Sequence, residues 1–315
     1  MAGKIATRTA YGETLVELGA QYPELVVLDA DLSGSTMSKF FAEAYPDRFF
    51  DCGIAEADMT GIAAGMAAEG LKPFTNSFAM FAAGRAYEQI RNSIAYPQLN
   101  VKVVGSHGGV SVGEDGAPHH CIAAFARLRA LPGMLVCCPC DGNEMRHAVR
   151  ALIDYEGPAY LRLQRLATEV FTDELPDYHF ALGKGCTLRP GSDVTVIATG
   201  LMVSKALQAA ELLAAEGISV RVINIHTIKP LDEELVLRAA RETGCIVTSE
   251  EHSVIGGLGS AVSELLGEKC PVPVLRHGVN DEFGRSGTAA AVLDYFGLNA
   301  EGIAAKVREA LKLKK

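Results

Sequence analysis

At 315 residues the chain has room for two domains of ordinary size. With 49% hydrophobic and 21% charged residues it can bury sizeable cores, which excludes a disordered polypeptide. A formal net charge of −9 argues against a nucleic-acid binder, yet leaves room for a small anion held by a few local arginines.

The opening, MAGKIATRTAYGE, lacks the apolar core of a signal peptide, and no run of about 18 apolar residues predicts a membrane-spanning helix. Eight cysteines without an export signal point to reduced thiols and a cytoplasmic setting. Short β-rich runs then alternate with longer amphipathic stretches, the signature of parallel α/β layers. Strands are predicted over LVVLDAD (25–31), NVKVVGSH (100–107), GMLVCCP (133–139) and AYLRLQR (159–165). Helices are predicted over AEADMTGIAAGMAAEG (55–70) and AYEQIRNSIAY (86–96), and the Ala and Gly of the former imply close packing against another surface. Cys137, Cys138 and Cys140 close an apolar run and no second CxxC exists, so they read as a buried strand entering a turn.

The periodicity lapses over 166–190, which reads as a linker. A second α/β series follows, with strands over 193–200, 219–225, 245–252 and 273–279 and a helix over 203–217 that Gly217 stops. IGGLGSAVSELL (255–266) reads as a Gly-rich turn opening a helix; its GGxG is not a full dinucleotide fingerprint. The expected organisation is α/β throughout: two doubly wound, mostly parallel-sheet domains over 1–168 and 191–315, joined by a linker over 169–190.

Ligands of open α/β sheets bind beyond the carboxyl ends of strands. DADLSGS (29–35), SHGGVSVGEDGAPHH (106–120) and RLQR (162–165) follow apolar runs in that way, and CGIAEADM (52–59) sits at a loop-to-helix junction. GEDGAPHH (113–120) puts two carboxylates and two histidines into eight residues. Asp115, His119 and His120 could ligate a metal, but adjacent loop histidines rarely face one ion and no distant ligand completes the set. A polar loop and a grip on a polar substrate stay open; a serine hydrolase does not, since no GxSxG elbow is present. On residue type alone Glu56 reads as a carboxylate complementing a helix dipole, and Phe78 and Phe81 as core.

KIATRTAYGE (4–13), CGIAEADM, TNSFAMF (75–81), GSHGGVSVGEDGAPHH (105–120), IHTIKPLD (225–232) and GRSGTAAAVLDYFGL (284–298), in that order, resemble the C-terminal half of transketolase. The resemblance implies a thiamine-diphosphate pyrimidine-binding domain followed by the transketolase C-terminal domain. It implies transfer of a two-carbon ketol unit from a ketose phosphate to an aldose phosphate. Glu56 would contact N1′ of the aminopyrimidine as a catalytic group, and Phe78 and Phe81 would flank that ring. Asp115 and His119, the latter also catalytic, would contact substrate hydroxyls, while Arg8, Ser35, His107 and Arg165 would hold the sugar-phosphate end. Arg162 competes with Arg165, but strand alternation sends the two to opposite faces.

Two family features are missing. Many members carry a further aromatic about three residues past Phe81, where this chain has Ala82, Ala83 and Gly84, with Tyr87 the next aromatic. The GDG that binds the diphosphate and its Mg²⁺ or Ca²⁺ is absent too; CDGN (140–143) reads as a strand-to-helix turn. Starting at Met1 without the N-terminal portion of a one-piece transketolase, the chain is expected to be one subunit of a split enzyme. An N-terminal subunit carrying GDG would complete it in an α2β2 assembly. Competing readings are a 2-oxo-acid dehydrogenase β-like or deoxyxylulose-phosphate-synthase-like subunit, and a noncatalytic regulatory subunit. The candidate phosphate contacts and GEDGAPHH favour transketolase.

Overall fold

The computed structural model describes residues 3–175 and 178–314. Its fourteen described strands are β1 (Lys4–Ala6), β2 (Leu25–Asp29), β3 (Phe49–Asp51), β4 (Lys72–Phe78), β5 (Lys102–Ser106), β6 (Leu135–Cys137) and β7 (Ala159–Arg162), then β8 (Ala167–Glu169), β9 (Cys186–Arg189), β10 (Val194–Ala198), β11 (Val220–Asn224), β12 (Thr227–Lys229), β13 (Ile246–Ser253) and β14 (Val274–Val279).

Strand β2 shows how the first sheet is built. All five of its residues are buried, because parallel sheets are covered on both faces. Alternation sends Val26 and Leu28 to one side, against Met59, Ala63 and Phe125 from the helices Glu56–Ala68 and Ala124–Arg129. Leu25 and Val27 go to the other, against Leu15 and Val149 from the helices Thr7–Gly19 and Gly142–Asp154. Full burial of each such side chain contributes roughly 1.5–3 kcal/mol. The seven strands run β12-β6-β7-β5-β4-β2-β3, all paired parallel except β12. The second sheet runs β14-β13-β10-β11-β9, parallel except for β9. The expected fold class, two mostly parallel sheets with helices on both faces, is what forms.

Six strands lie outside the sequence reading: the three-residue β1 and β3, and β4, β8, β9 and β12. β4 escapes it because Pro73, Thr75, Asn76 and Ser77 interrupt its apolar character, yet the strand lies mid-sheet. Asn76 at its centre is fully bonded: Tyr11 Oη donates to Asn76 Oδ1 (2.7 Å), and Asn76 Nδ2 donates to the Leu28 and Phe74 carbonyls (2.9 and 3.1 Å), while Ser77 Oγ is buried without a partner among the described residues. The stretch read as a linker contributes β9 as an edge strand on β11, and β8 pairs antiparallel with β1. Pro176 and Asp177 of that stretch, like Met1, lie outside the described residues. β12, from IHTIKPLD, leaves the second domain to pair with β6 of the first sheet. Lys229 Nζ reinforces the join by donating to the carbonyls of Arg129 (2.9 Å) and Leu131.

Three local readings take physical form. Cys137, Cys138 and Cys140 are buried, and burial pushes all three thiols up, Cys138 to about 11. Asp141 of CDGN caps the helix Gly142–Asp154 by accepting from Glu144 N (2.8 Å). The Gly-rich turn at 255–259 gives its helix N-terminus to the chain's own Glu250, which accepts from Leu258 N and Gly259 N (2.7 and 2.8 Å). Among the described residues no helix is long and apolar enough to cross a membrane.

Candidate active site

The candidate residues gather beyond the carboxyl ends of β2, β4, β5 and β7, where an open parallel sheet places its ligands. Phe78 ends β4 and Phe81 lies one helical turn on, so the rings stack at 6.1 Å with an interplanar angle of 10°. His107, the first residue after β5, lies 4.2 Å from the Phe78 ring, and His119 meets both phenylalanines edge-on at 6.1 and 5.6 Å. These four rings make one wall.

Glu56 opens the helix Glu56–Ala68 and is buried. Its carboxylate has one side-chain partner among the described residues, Arg85 Nη1 at 3.2 Å. The Arg85 guanidinium also lies 5.7 Å from the centroid of the Phe81 ring, a contact worth about 0.5–1 kcal/mol at an exposed site. Sequence reasoning misses Arg85. The clue is spacing, because positions 78, 81 and 85 fall on one helical face, so a cation replaces the absent third aromatic at the end of the wall.

A basic corner adjoins the wall. Arg8 Nη1 donates to the Ser35 carbonyl (2.8 Å), and Arg8 Nε is buried without a partner. The Ser35 hydroxyl forms no hydrogen bond among the described residues, so Ser35 enters through its main chain. Arg165 Nη1 donates to the Val112 carbonyl and lies 3.3 Å from Glu114 Oε2. Burial, then the charge of Arg165, lowers the pKa of Arg8. Burial, then Arg8 and Arg165, pushes His107 down to about 3, so its imidazole is neutral at ordinary pH. Ser106 Oγ lies 2.8 Å from its Nδ1. His107 also holds φ +57°, a left-handed conformation that a non-glycine residue adopts at a cost.

GEDGAPHH folds into two short 3₁₀ turns, Gly113–Asp115 and Ala117–His119. Gly116 has φ +75°, and a Cβ there would stand 2.6 Å from Ser286 Oγ of the second domain. His119 Nδ1 lies 3.0 Å from the Asp115 carbonyl, while the Asp115 carboxylate is exposed and unbonded among the described residues. The two histidines diverge: His119 joins the wall, and His120 is buried so tightly that a Cβ at Gly284 would stand 2.1 Å from its Nδ1. The metal reading of this loop therefore loses its geometry. No group of three or more potential metal-ligating His, Cys, Asp or Glu occurs among the described residues.

The second domain holds the base of this loop. Glu251 Oε1 accepts from Val110 N and Ser111 N (2.7 and 2.6 Å), and its Oε2 lies 3.3 Å from Arg162 Nη2. Arg162 thus turns into the domain interface, and Arg165 turns to the basic corner. Glu251 is not a candidate in the sequence, because its partners come from another domain.

The chain matches the transketolase pyrimidine-binding domain over residues 3–170 and the transketolase C-terminal domain over 183–303. It belongs to the transketolase family, whose chemistry is thiamine-diphosphate-dependent ketol transfer. A split-gene transketolase solved as an inactive β4 tetramer is 51% identical, superposes with a TM-score of 0.90, and is covered over 100% of its length by 99% of this chain. The 6-deoxy-6-sulfo-D-fructose transketolase subunit of a Clostridium species is 45% identical over 307 residues, 98% of this chain and 95% of that one. An apulose-4-phosphate transketolase subunit of Phocaeicola vulgatus is 42% identical over 309 residues, 98% of each. Such relatives identify a transferase-type enzyme that works with a partner subunit.

Proposed function

We propose that this chain supplies the aminopyrimidine end of the cofactor site and the sugar-binding wall of a split transketolase. It would move a two-carbon ketol unit from a ketose phosphate to an aldose phosphate. The observation that carries the reading is the convergence of Arg8, Arg165 and a neutral His107 beside the wall formed by Phe78, Phe81 and His119. Two guanidiniums close enough that the charge of Arg165 lowers the pKa of Arg8 suit an anionic sugar tail, where charge-assisted bonds are strong and directional. The names of two relatives point to sugars with such tails, a sulfonate in one and a phosphate in the other.

The residues fit the aminopyrimidine of thiamine diphosphate. Phe78 and Phe81 offer two near-parallel rings to a flat heterocycle, and buried Glu56 offers a carboxyl group to its ring nitrogen. When bound, thiamine diphosphate supplies the carbon centre that takes up the ketol unit and stabilises its charge. Glu56 would hold the proton at N1′, with Arg85 fixing the position of its carboxyl group. Asp115 and His119 would bond substrate hydroxyls, and His119, seated against two aromatic edges, can carry a proton to or from them. Neutral His107 would accept or donate one hydrogen bond at the anionic end without adding charge.

The diphosphate and its Mg²⁺ or Ca²⁺ belong, in this reading, to an N-terminal subunit bearing GDG, in a cytoplasmic α2β2 assembly. On the helix Glu56–Ala68, Gly61, Ile62 and Gly65 are exposed, and a Cβ added at either glycine would meet nothing within 4 Å. That face supports docking of a further chain. Calorimetry tests the division of labour: the isolated chain with thiamine diphosphate and Mg²⁺ should bind weakly and turn over nothing, and the partner should restore both. Micromolar binding with turnover by this chain alone would refute it. Activity on pyruvate in place of a ketose phosphate would favour the dehydrogenase-like or synthase-like alternative.

A further inference from the structure

The basic corner contains one charge of the opposite sign. Glu114, the second residue of GEDG, sets its Oε2 3.3 Å from Arg165 Nη1, with side chains 63% and 34% exposed respectively. Arg165 also donates to Val112 O, so the guanidinium is pinned to the loop that bears Glu114. Among the described residues, the charged and titratable groups whose contacts place them at the corner are Arg8 from the helix Thr7–Gly19, Arg165 after β7, His107 after β5 and Glu114. Two cations against one carboxylate, with a neutral imidazole, leave one net positive charge.

We propose that Glu114 tunes the charge class of the sugar tail, weakening a dianion more than a monoanion at the same corner. This rests on the reading of the corner as an anion site. Repulsion from a carboxylate scales with the charge of the ligand. Between unit charges about 4 Å apart in water it amounts to roughly a factor of five in affinity, and to the square of that for a dianion. Salt screening reduces these to about threefold and about tenfold. A sulfonate therefore tolerates Glu114 better than a phosphate whose second proton, with a pKa of about 6, has left. Because Glu114 is largely exposed and makes no other hydrogen bond among the described residues, its charge rather than its packing is what the tail meets.

The test uses the reconstituted two-subunit enzyme at pH 8. kcat/KM is measured for a ketose phosphate and for the same ketose carrying a sulfonate in place of the phosphate. Glu114→Gln should raise the value about tenfold for the phosphate and about threefold for the sulfonate, shifting the ratio about threefold. Glu114→Asp, which keeps the charge, should keep the wild-type ratio. An unchanged ratio in Glu114→Gln, or a Glu114→Asp enzyme behaving like it, overturns the proposal. Arg165→Ala is the companion: it should weaken both charged ketoses far more than an uncharged one. If it weakens all three alike, the anion-corner reading itself falls, and the role of Glu114 falls with it.

Discussion

Replacing Glu251 tests whether the second domain holds the substrate loop. Its carboxylate is buried, accepts from two main-chain N–H groups of that loop, and faces a buried Arg162. Glu251→Gln keeps an oxygen for Val110 N and Ser111 N but leaves Arg162 without a counter-ion. Breaking a buried pair from one side costs about 3–5 kcal/mol. Glu251→Ala also orphans the two N–H groups, at about 1–3 kcal/mol each before any water enters. At roughly 2–4 °C per kcal/mol for a chain of this size, Glu251→Gln should lower the melting temperature by at least about 6 °C, and Glu251→Ala by more. Scanning calorimetry gives the ordering. Hydrogen exchange gives the location, since the Val110 and Ser111 amides should lose protection before the centre of the first sheet does. A melting shift below about 2 °C in Glu251→Gln, with those amides still protected, would refute the argument that this pair clamps the loop.

Glu56→Gln should lower kcat of the reconstituted enzyme at least about 10²-fold with assembly intact, because a positioned acid–base group is typically worth 10²–10⁴-fold; a loss under tenfold, read by steady-state kinetics, would remove Glu56 from the chemistry. Burial raises the Asp29 carboxyl to about 6, against the pull of hydrogen bonds from Thr36, Leu32 and Ser38. The folded state then binds the extra proton, so the Asp29 contribution to stability falls as pH rises from about 4 to about 6. Denaturant titrations should show that slope in the wild type and a flatter one in Asp29→Asn. Native-state alkylation should spare Cys137, Cys138 and Cys140, whose thiols are fully buried and raised, and mass spectrometry should find label first on half-buried Cys270, ahead of half-buried Cys52 and Cys186, whose thiols burial also raises.

What is legible in the sequence is whatever depends on local order. The apolar runs of β2, β5, β10 and β11 declare parallel strands; Arg165 is found beside Arg8, but β7 ends at Arg162, so the turn after the strand and not period-two alternation puts it there. Tertiary partners are not legible. β4 hides because Asn76 at its centre is bonded by Tyr11 and by main-chain carbonyls that no window can see. Arg85 meets Glu56 only once two helices are packed, and Glu251 meets Arg162 only once two domains are. Ser35 illustrates a different limit: the motif locates the residue, while its observed contact runs through the carbonyl, for which residue type carries no information.

The first sheet borrows β12, and that loan has a timetable. β7 ends at Arg162 and β12 begins at Thr227, an interval of 227 − 162 = 65 residues. At 5–20 residues per second, a ribosome needs about 3–13 s to cross it. Throughout that time the nascent first domain presents β6 with an open edge, the kind of edge that recruits foreign strands. Synthesis order therefore bears on solubility. A chain cut anywhere between the two domains would keep that edge for good, so the two halves of this subunit are inseparable as products although each has its own sheet.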